Sequence, residues 1–162
     1  MLILIPPSEG KSSKNTIETK FNETNFVFSK QVQEIIQILK NKNEEIEKIY
    51  GTSLDKSKEL HKKNLNVFSN SCSKAIERYT GVVYNQLDLK SFSEESKSYF
   101  NSNIRIFSGL FGMVKPNTLI PDYKLKMNVL GLTKFWSPFL SNELSKEELI
   151  IDLLPEIHRK AY

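Results

Sequence analysis

Residues 104–116 read Ile-Arg-Ile-Phe-Ser-Gly-Leu-Phe-Gly-Met-Val-Lys-Pro. The β-branched and aromatic run Ile104–Phe107 predicts a strand, and Gly109 and Gly112 predict a tight hairpin directly after it. In one interpretation the hairpin exposes its backbone amides to a phosphate oxygen, as in helix-hairpin-helix DNA binders, because glycine has no side chain to block the approach. In the other interpretation Leu110 and Phe111 are core residues, and the glycines only let the chain turn.

The hairpin begins a stretch that carries the whole basic excess of the chain. The whole sequence has 23 Lys and Arg residues against 19 Asp and Glu, a net charge of +4. Between residues 104 and 134 the only acid is Asp122, and the basic residues are Arg105, Lys115, Lys124, Lys126 and Lys134. Such clustering is typical of an anion-binding or nucleic-acid-binding surface. The alternative is a solvated surface on which the charges cluster by chance.

Outside this stretch, short apolar runs alternate with helical patterns. Leu2–Ile5, stopped by Pro6 and Pro7, predicts a central strand, and residues 8–25 read as an extended loop. Residues 32–49 predict one bent helix or two, ending at Gly51, and residues 54–79 predict a further helical region. A capping box, Ser91-x-x-Glu94, predicts a helix to about residue 101, and another helix is predicted over 134–148. Strands are predicted over residues 81–84 and 149–154. The alternation predicts an α/β (mixed α+β) fold, a single compact domain over residues 1–162 around a central mixed sheet.

The first loop follows the N-terminal strand and contains Gly10-Lys11-Ser12. These residues resemble the end of a phosphate-binding P-loop, but the first glycine of that motif would have to stand at Ile5, so a P-loop is not predicted. Polar loops at the carboxyl ends of strands are nevertheless where α/β sheets carry their sites. Ser8, Glu9 and Lys11 are therefore candidate functional residues, against the alternative of a surface loop without a role.

A third segment, Tyr123-Lys124-Leu125-Lys126-Met127, alternates polar and apolar residues. As a strand it would present Lys124 and Lys126 on one face, with Tyr123 as a ring on which a base could stack. Solvated lysines on a half-exposed strand are the alternative. The two histidines offer little chemistry, because His61 is expected on a solvated helix face and neither histidine belongs to a recognisable catalytic or metal-binding motif.

The composition is that of a soluble globular protein, with 39% hydrophobic and 26% charged residues. No apolar run is long enough for a membrane span or a signal peptide, so a cytoplasmic location is expected. Cys72 stands alone and cannot form an internal disulfide or a Cys-x-x-Cys site. No metal site and no cofactor is predicted, and conventional hydrolase chemistry is not supported.

Residues 104–127 resemble the peroxide stress response protein YaaA family. Members of that family carry a similar Leu-Ser-Gly-Leu-Tyr-Gly, a basic residue with proline, and Tyr-Arg-Leu-Glu-Met. The Phe135-Trp136 pair, the N-terminal strand with its Pro-Pro-Ser-Glu-x-Lys loop, and Gly81-x-Val83-Tyr84 also resemble the family in order. Lys126 stands where a glutamate is usual, which makes this segment more basic here.

The resemblance implies a compact α/β fold with a positively charged cleft and a helix-hairpin-helix-like element. It implies a role in resistance to hydrogen peroxide, through limiting the damage linked to intracellular iron, and binding to DNA. It carries candidate roles onto Ser8, Lys11, Ser108, Gly109, Gly112, Lys115, Tyr123 and Lys124. Family chains continue past the position of Tyr162, so the C-terminal part of the family fold is expected to be missing here.

Three functional hypotheses follow. The first is binding of double-stranded DNA without sequence preference, through the phosphate contacts of Ser8, Lys11, Arg105, Ser108, Gly109, Gly112, Lys115, Tyr123, Lys124 and Lys126. The second is an enzyme that acts on an anionic substrate in a cleft between the Ser8–Lys11 loop and the Ser108–Lys124 segment. The third, direct binding of iron, has the least support because the sequence has no ligand cluster.

Overall fold

The computed structural model describes residues 1–162. Its strands are β1 (Leu2–Ile5), β2 (Ile17–Lys20), β3 (Ser71–Lys74), β4 (Ile104–Ser108), β5 (Gly112–Val114), β6 (Leu119–Ile120) and β7 (Ile150–Asp152). Its α-helices are α1 (Ser29–Lys40), α2 (Ile46–Tyr50), α3 (Leu54–Leu65), α4 (Ala75–Arg78), α5 (Val82–Asn85), α6 (Glu94–Asn103), α7 (Leu132–Leu144) and α8 (Glu156–Arg159). Short 3-10 helices cover Phe21–Glu23, Asn43–Glu45 and Val67–Ser69.

The central sheet has the strand order β5-β4-β1-β7. Strand β1 pairs in parallel with both β4 and β7, so that Leu4 lies opposite Arg105 on one side and Asp152 on the other. Strand β5 returns antiparallel to β4 through the hairpin. The sheet confirms the strands predicted at the N-terminus, at 104–107 and within 149–154, and it makes the fold a mixed α/β one. Because β1, β4 and β7 are parallel, their carboxyl ends meet at one edge, where such sheets carry their sites.

A second, smaller sheet was not predicted. Strands β2, β3 and β6 pair antiparallel in the order β2-β3-β6. Strand β2 lies in the segment predicted as a loop, and β3 lies in the segment predicted as helix, so both predictions are wrong there. Strand β3 reads Ser-Cys-Ser-Lys and has little β-propensity of its own, so its conformation comes from pairing with distant residues.

Two local predictions also fail. Residues 81–84 were expected to form a strand, but Val82–Asn85 form the one-turn helix α5, with Val82 and Val83 exposed and no strand alongside. The β-branched residues Val82 and Val83 favour a strand, but this segment has no neighbouring strand to pair with, so their preference does not decide its conformation. Helix α6 begins after Ser93, whose side chain accepts a hydrogen bond from the Ser96 amide, rather than after Ser91. The end of α2 at Gly51 is confirmed.

The core forms around the hairpin between β4 and β5. Trp136, on α7, is fully buried, and its indole Nε1 donates a hydrogen bond to the Gly109 carbonyl at 2.9 Å. Phe111 packs edge-on against Tyr123, with ring centroids 4.9 Å apart. Leu110 and Phe111 are both completely buried, which confirms that they are core residues. The hairpin joins two strands, so it is not the helix-hairpin-helix-like element that the resemblance implied.

Both hairpin glycines are required by close approach. A Cβ atom at Gly109 would lie 2.5 Å from the Leu125 carbonyl oxygen, inside van der Waals contact with backbone. At Gly112 it would lie 2.7 Å from the Trp136 ring, and this residue also has a φ of +67°. Because glycine has no side chain, the backbone at Leu125 lies directly against Gly109, and the indole of Trp136 lies directly against Gly112.

We expect Gly112→Ala to lower the free energy of unfolding by about 3 kcal/mol, from left-handed strain and overpacking against Trp136 together. The matched control is Gly51→Ala, because Gly51 has a similar φ of +64° but no atom within 4 Å of its Cβ position. That control should cost only about 1 kcal/mol, from backbone strain alone. Urea denaturation of the two variants measures the difference, and equal losses would contradict the packing argument.

Candidate functional site

A pocket of about 220 Å³ lies at the edge of the central sheet where the parallel strands end. Its walls come from the loop after β1, from Gly109 after β4, from the extended segment Tyr123–Asn128 and from α8 after β7. The residues that line it include Ser8, Glu9, Lys11, Lys124, Lys126 and His158. The pocket therefore joins the first loop to the segment after the hairpin, which are more than a hundred residues apart in sequence.

Lys11 is the most unusual group in this pocket. Its ammonium nitrogen lies 4.7 Å from the centroid of the Tyr123 ring and 5.4 Å from that of Tyr79. The nitrogen donates one hydrogen bond, to the Ser8 carbonyl at 2.9 Å, and it takes part in none of the ion pairs of the structure. Burial, followed by the positive charge of Lys124, lowers the pKa of Lys11 to about 8.

Two further lysines stand on the opposite wall. The Lys124 amine donates a hydrogen bond to the Glu9 backbone carbonyl at 3.1 Å, and the Lys126 amine pairs with the Glu9 carboxylate at 2.9 Å. The hydrogen bond and the charge of Lys126 lower the pKa of Glu9. Three lysines thus face a single carboxylate, and the pocket has a local excess of positive charge.

Asn64 on α3 holds the lysine wall in position. Its side chain accepts a hydrogen bond from the Lys124 amide at 2.9 Å and donates one to the Lys124 carbonyl at 2.7 Å. The segment around Lys124 is extended but belongs to no sheet. The side chain of Asn64 makes the two backbone hydrogen bonds that a neighbouring strand would otherwise make with Lys124. The predicted alternation is confirmed, since Tyr123, Leu125 and Met127 are buried while Lys124 and Lys126 line the pocket, but the predicted strand is wrong.

Below Lys11 lies a buried chain of hydroxyl groups. The Tyr123 hydroxyl is 2.7 Å from that of Tyr79 and 2.8 Å from that of Ser108, which accepts a hydrogen bond from the Phe111 amide at 3.0 Å. Burial raises the pKa of Tyr123 to about 12, so its phenol remains protonated. Only 2% of Tyr123 is exposed, so its ring is not available as the predicted stacking surface.

A family model whose description reads "Peroxide stress protein YaaA" matches residues 1–162. The chain belongs to this family. An uncharacterised protein of Campylobacter jejuni is 29% identical over an alignment that covers 100% of the chain and 71% of that relative. UPF0246 proteins of Francisella tularensis and Fusobacterium nucleatum are each 31% identical, with 90% and 94% of the chain covered. The chain spans 62% and 66% of the length of these two relatives.

In this member of the YaaA family the predicted anion-binding residues do not form one surface. Ser8, Lys11, Gly109, Tyr123, Lys124 and Lys126 line the pocket, and Ser108 lies beneath it. Arg105 and Lys115 instead line a larger pocket of about 660 Å³ that shares no residue with the first. Arg105 donates hydrogen bonds to the carbonyls of Ser102 and Ile104, each at 2.9 Å, so the backbone already engages its guanidinium.

His61 is placed differently from its prediction. It is 5% exposed, and its Nδ1 lies 3.2 Å from the Tyr50 hydroxyl, so the expectation of a solvated helix face is wrong. The buried face of α3 carries Ser57, Leu60, His61 and Asn64 at the spacing i, i+3, i+4, i+7. That spacing is a readable helical stripe, but polar residues occupy most of it, and a search for apolar periodicity misses it. The same stripe supplies Asn64, a site residue that apolar periodicity does not reveal.

Redox and metal chemistry have few candidate groups. Cys72 is buried, and burial raises the pKa of its thiol to about 11, so the reactive thiolate form is scarce near neutral pH. The structure contains no group of three or more His, Cys, Asp and Glu side chains arranged to share a metal ion. None of its helices combines the length and the apolar character needed to cross a membrane.

We expect Tyr123→Phe to lower the free energy of unfolding by about 1–3 kcal/mol, because the buried hydroxyls of Tyr79 and Ser108 lose a shared partner. Tyr99→Phe is the matched control, since 53% of Tyr99 is exposed and its hydroxyl is accessible to water. Thermal and urea denaturation of both variants measure the effect. Loss of stability in the control of the same size would contradict a special role of the buried chain.

Proposed function

We propose that this member of the YaaA family binds a small anionic ligand, one that carries a phosphate or a carboxylate group, in the pocket at the carboxyl edge of the central sheet. Binding of that ligand would be the basis of its contribution to the peroxide stress response. One observation carries the proposal. The amine of Lys11 is partly buried and pairs with no carboxylate, in the same pocket as Lys124 and Lys126.

The electrostatics of Lys11 favour an anion. A buried charge without a partner costs free energy, and here the cost appears as the lowered pKa of the amine. A bound anion would offset that cost by pairing with the ammonium form. Glu9 now holds Lys126 through its carboxylate, and its side chain is largely exposed, so an incoming anion could replace it as the partner of Lys126.

The size of the pocket limits the ligand. A volume of about 220 Å³ is below the ~300–1,000 Å³ that is typical of pockets for drug-sized molecules. The ligand would therefore be a small metabolite-sized anion, or the terminal anionic group of a larger compound. The site lies where parallel sheets usually bind their ligands, at the carboxyl ends of adjacent strands.

Sulfate is a suitable probe, because its charge stays constant over the pH range of interest. We expect sulfate to shift the backbone amide NMR signals of residues 8–11 and 124–126, with a dissociation constant that rises as the pH passes through about 8 and Lys11 loses its charge. Lys124→Gln should weaken binding about tenfold, equivalent to ~1.4 kcal/mol, through the loss of a charged donor.

The matched control is Lys115→Gln, which removes a lysine from the other pocket. It should leave the sulfate affinity unchanged. If wild-type protein shows no saturable shifts, or if both variants bind sulfate equally well, the pocket is not an anion site.

Double-stranded DNA without sequence preference is the second candidate partner. The observation that favours it is the pair Lys124 and Lys126, which stand on one extended segment at the mouth of the pocket. DNA phosphates would then be the anions bound there. Membership of the family also supports, as a proposal, a role in limiting damage linked to intracellular iron.

For DNA, we expect the double substitution Lys124→Glu and Lys126→Glu to weaken duplex binding equally for unrelated sequences. The affinity of the wild-type protein should fall steeply as salt rises, because bound phosphates release counterions. Lys115→Glu serves as the control at the separate pocket. Fluorescence anisotropy at several salt concentrations measures these effects, and an affinity insensitive to salt would exclude phosphate-driven binding.

A further inference from the structure

We propose that Lys11 is a nucleophilic amine, which condenses with the carbonyl group of a small anionic compound to form an imine. The proposal rests on the anion pocket described above, because Lys124 and Lys126 would hold the carboxylate or phosphate of that compound. It adds a reaction and a substrate class, which anion binding alone does not require.

The contacts of Lys11 differ from those of a structural lysine. An ammonium group has three hydrogen-bond donors, yet here only the Ser8 carbonyl accepts one. The other neighbours are the faces of Tyr123 and Tyr79, at 4.7 and 5.4 Å. These rings attract a cation, and they also cover part of the amine that water would otherwise solvate. The amine is therefore held at a defined position, and neither of its ring neighbours supplies a negative charge.

The surroundings also favour the neutral amine. The charges that act on Lys11 are Lys124 and Lys63, which favour the neutral form, and Asp122 and Glu9, which favour the charged form. Burial has the largest effect and acts in the same direction as the two lysines, so the pKa of Lys11 falls to about 8. The hydroxyls of Tyr79 and Tyr123 remain protonated and bonded to each other, so they add no charge.

A neutral amine is what this chemistry needs, because only the unprotonated nitrogen has a free electron pair. Desolvation and an adjacent cation are the two means by which proteins activate such lysines. Near pH 8 about half of the Lys11 side chains would be neutral, whereas an ordinary lysine with a pKa of about 10.4 would be less than about 1% neutral.

The reaction balances without an oxidant or a reductant. The nitrogen lone pair attacks the carbonyl carbon, a C–N bond forms, and the carbonyl π electrons become a hydroxyl after a proton moves from nitrogen to oxygen. Loss of the hydroxyl with the second proton of the nitrogen, as water, leaves the C=N double bond. The carboxylate or phosphate of the substrate does not react and only fixes its orientation.

Reductive trapping of pyruvate tests the proposal. Wild-type protein is incubated with pyruvate and cyanoborohydride, which reduces an imine to a stable secondary amine, and the modified residues are identified by peptide mass spectrometry. We expect Lys11 to be modified at least tenfold faster than exposed lysines such as Lys134, with a rate that rises through pH 8. The α-amino group of Met1, which is paired with Glu147, is an internal standard for a reactive surface amine.

Acetone is the matched reagent, since it offers a ketone without a carboxylate, and it should modify Lys11 much more slowly than pyruvate. Lys11→Arg keeps the charge but cannot form the adduct, because arginine is not deprotonated in proteins. Circular dichroism verifies that this variant folds, and the mapping on wild-type protein does not depend on it.

The outcomes separate this proposal from the anion site. If sulfate binds but pyruvate modifies Lys11 no faster than Lys134, the imine proposal is wrong and the anion site stands. If Lys11 is selectively modified and sulfate slows the reaction, both are supported. Equal rates with acetone and pyruvate would overturn the proposal that an anionic group directs the substrate.

Discussion

The structure depends on the close approach of backbone and indole at the β4–β5 hairpin. Trp136 lies against Gly112 and donates a hydrogen bond to the Gly109 carbonyl, while the backbone at Leu125 lies against Gly109 itself. This contact joins α7, the central sheet and the lysine-bearing segment in one packing unit. A side chain at Gly112 would push Trp136 away from the hairpin, and a side chain at Gly109 would push away the segment that carries Lys124 and Lys126.

The pocket combines a rigid floor with charged walls. Tyr123, Tyr79 and Ser108 form a buried hydroxyl chain that satisfies its own hydrogen bonds, and it supports the ammonium of Lys11 without supplying an anion. Asn64 holds the opposite wall through both backbone groups of Lys124. The fold thus keeps three lysines around one small volume in spite of their mutual repulsion. That arrangement favours a ligand with negative charge, and burial, followed by the charge of Lys124, lowers the pKa of Lys11.

Much of the architecture could be read from local patterns. The strands at Leu2–Ile5 and Ile104–Ser108, the helix over Val32–Leu39 and its continuation to Gly51 follow from apolar periodicity and terminators. Strands β2 and β3 could not be read in this way, because their residues become strands only by pairing with partners far away in sequence. His61 and Asn64 were missed because a buried polar stripe resembles a solvated one when only hydrophobicity is considered.

The sequence by itself determined the family, the α/β class and the residues with unusual chemistry, because these depend on residue identity and short-range order. The tertiary structure decided which of those residues meet. It brought Lys11 to Lys124 and Lys126, buried the ring of Tyr123, and sent Arg105 and Lys115 to a separate pocket. The physical reason is that burial, pKa and charge partners are properties of three-dimensional neighbours. The hairpin Gly109–Gly112 shows both contributions. Its two glycines predict a tight turn from sequence alone, but only the positions of Leu125 and Trp136 explain why neither glycine can carry a side chain.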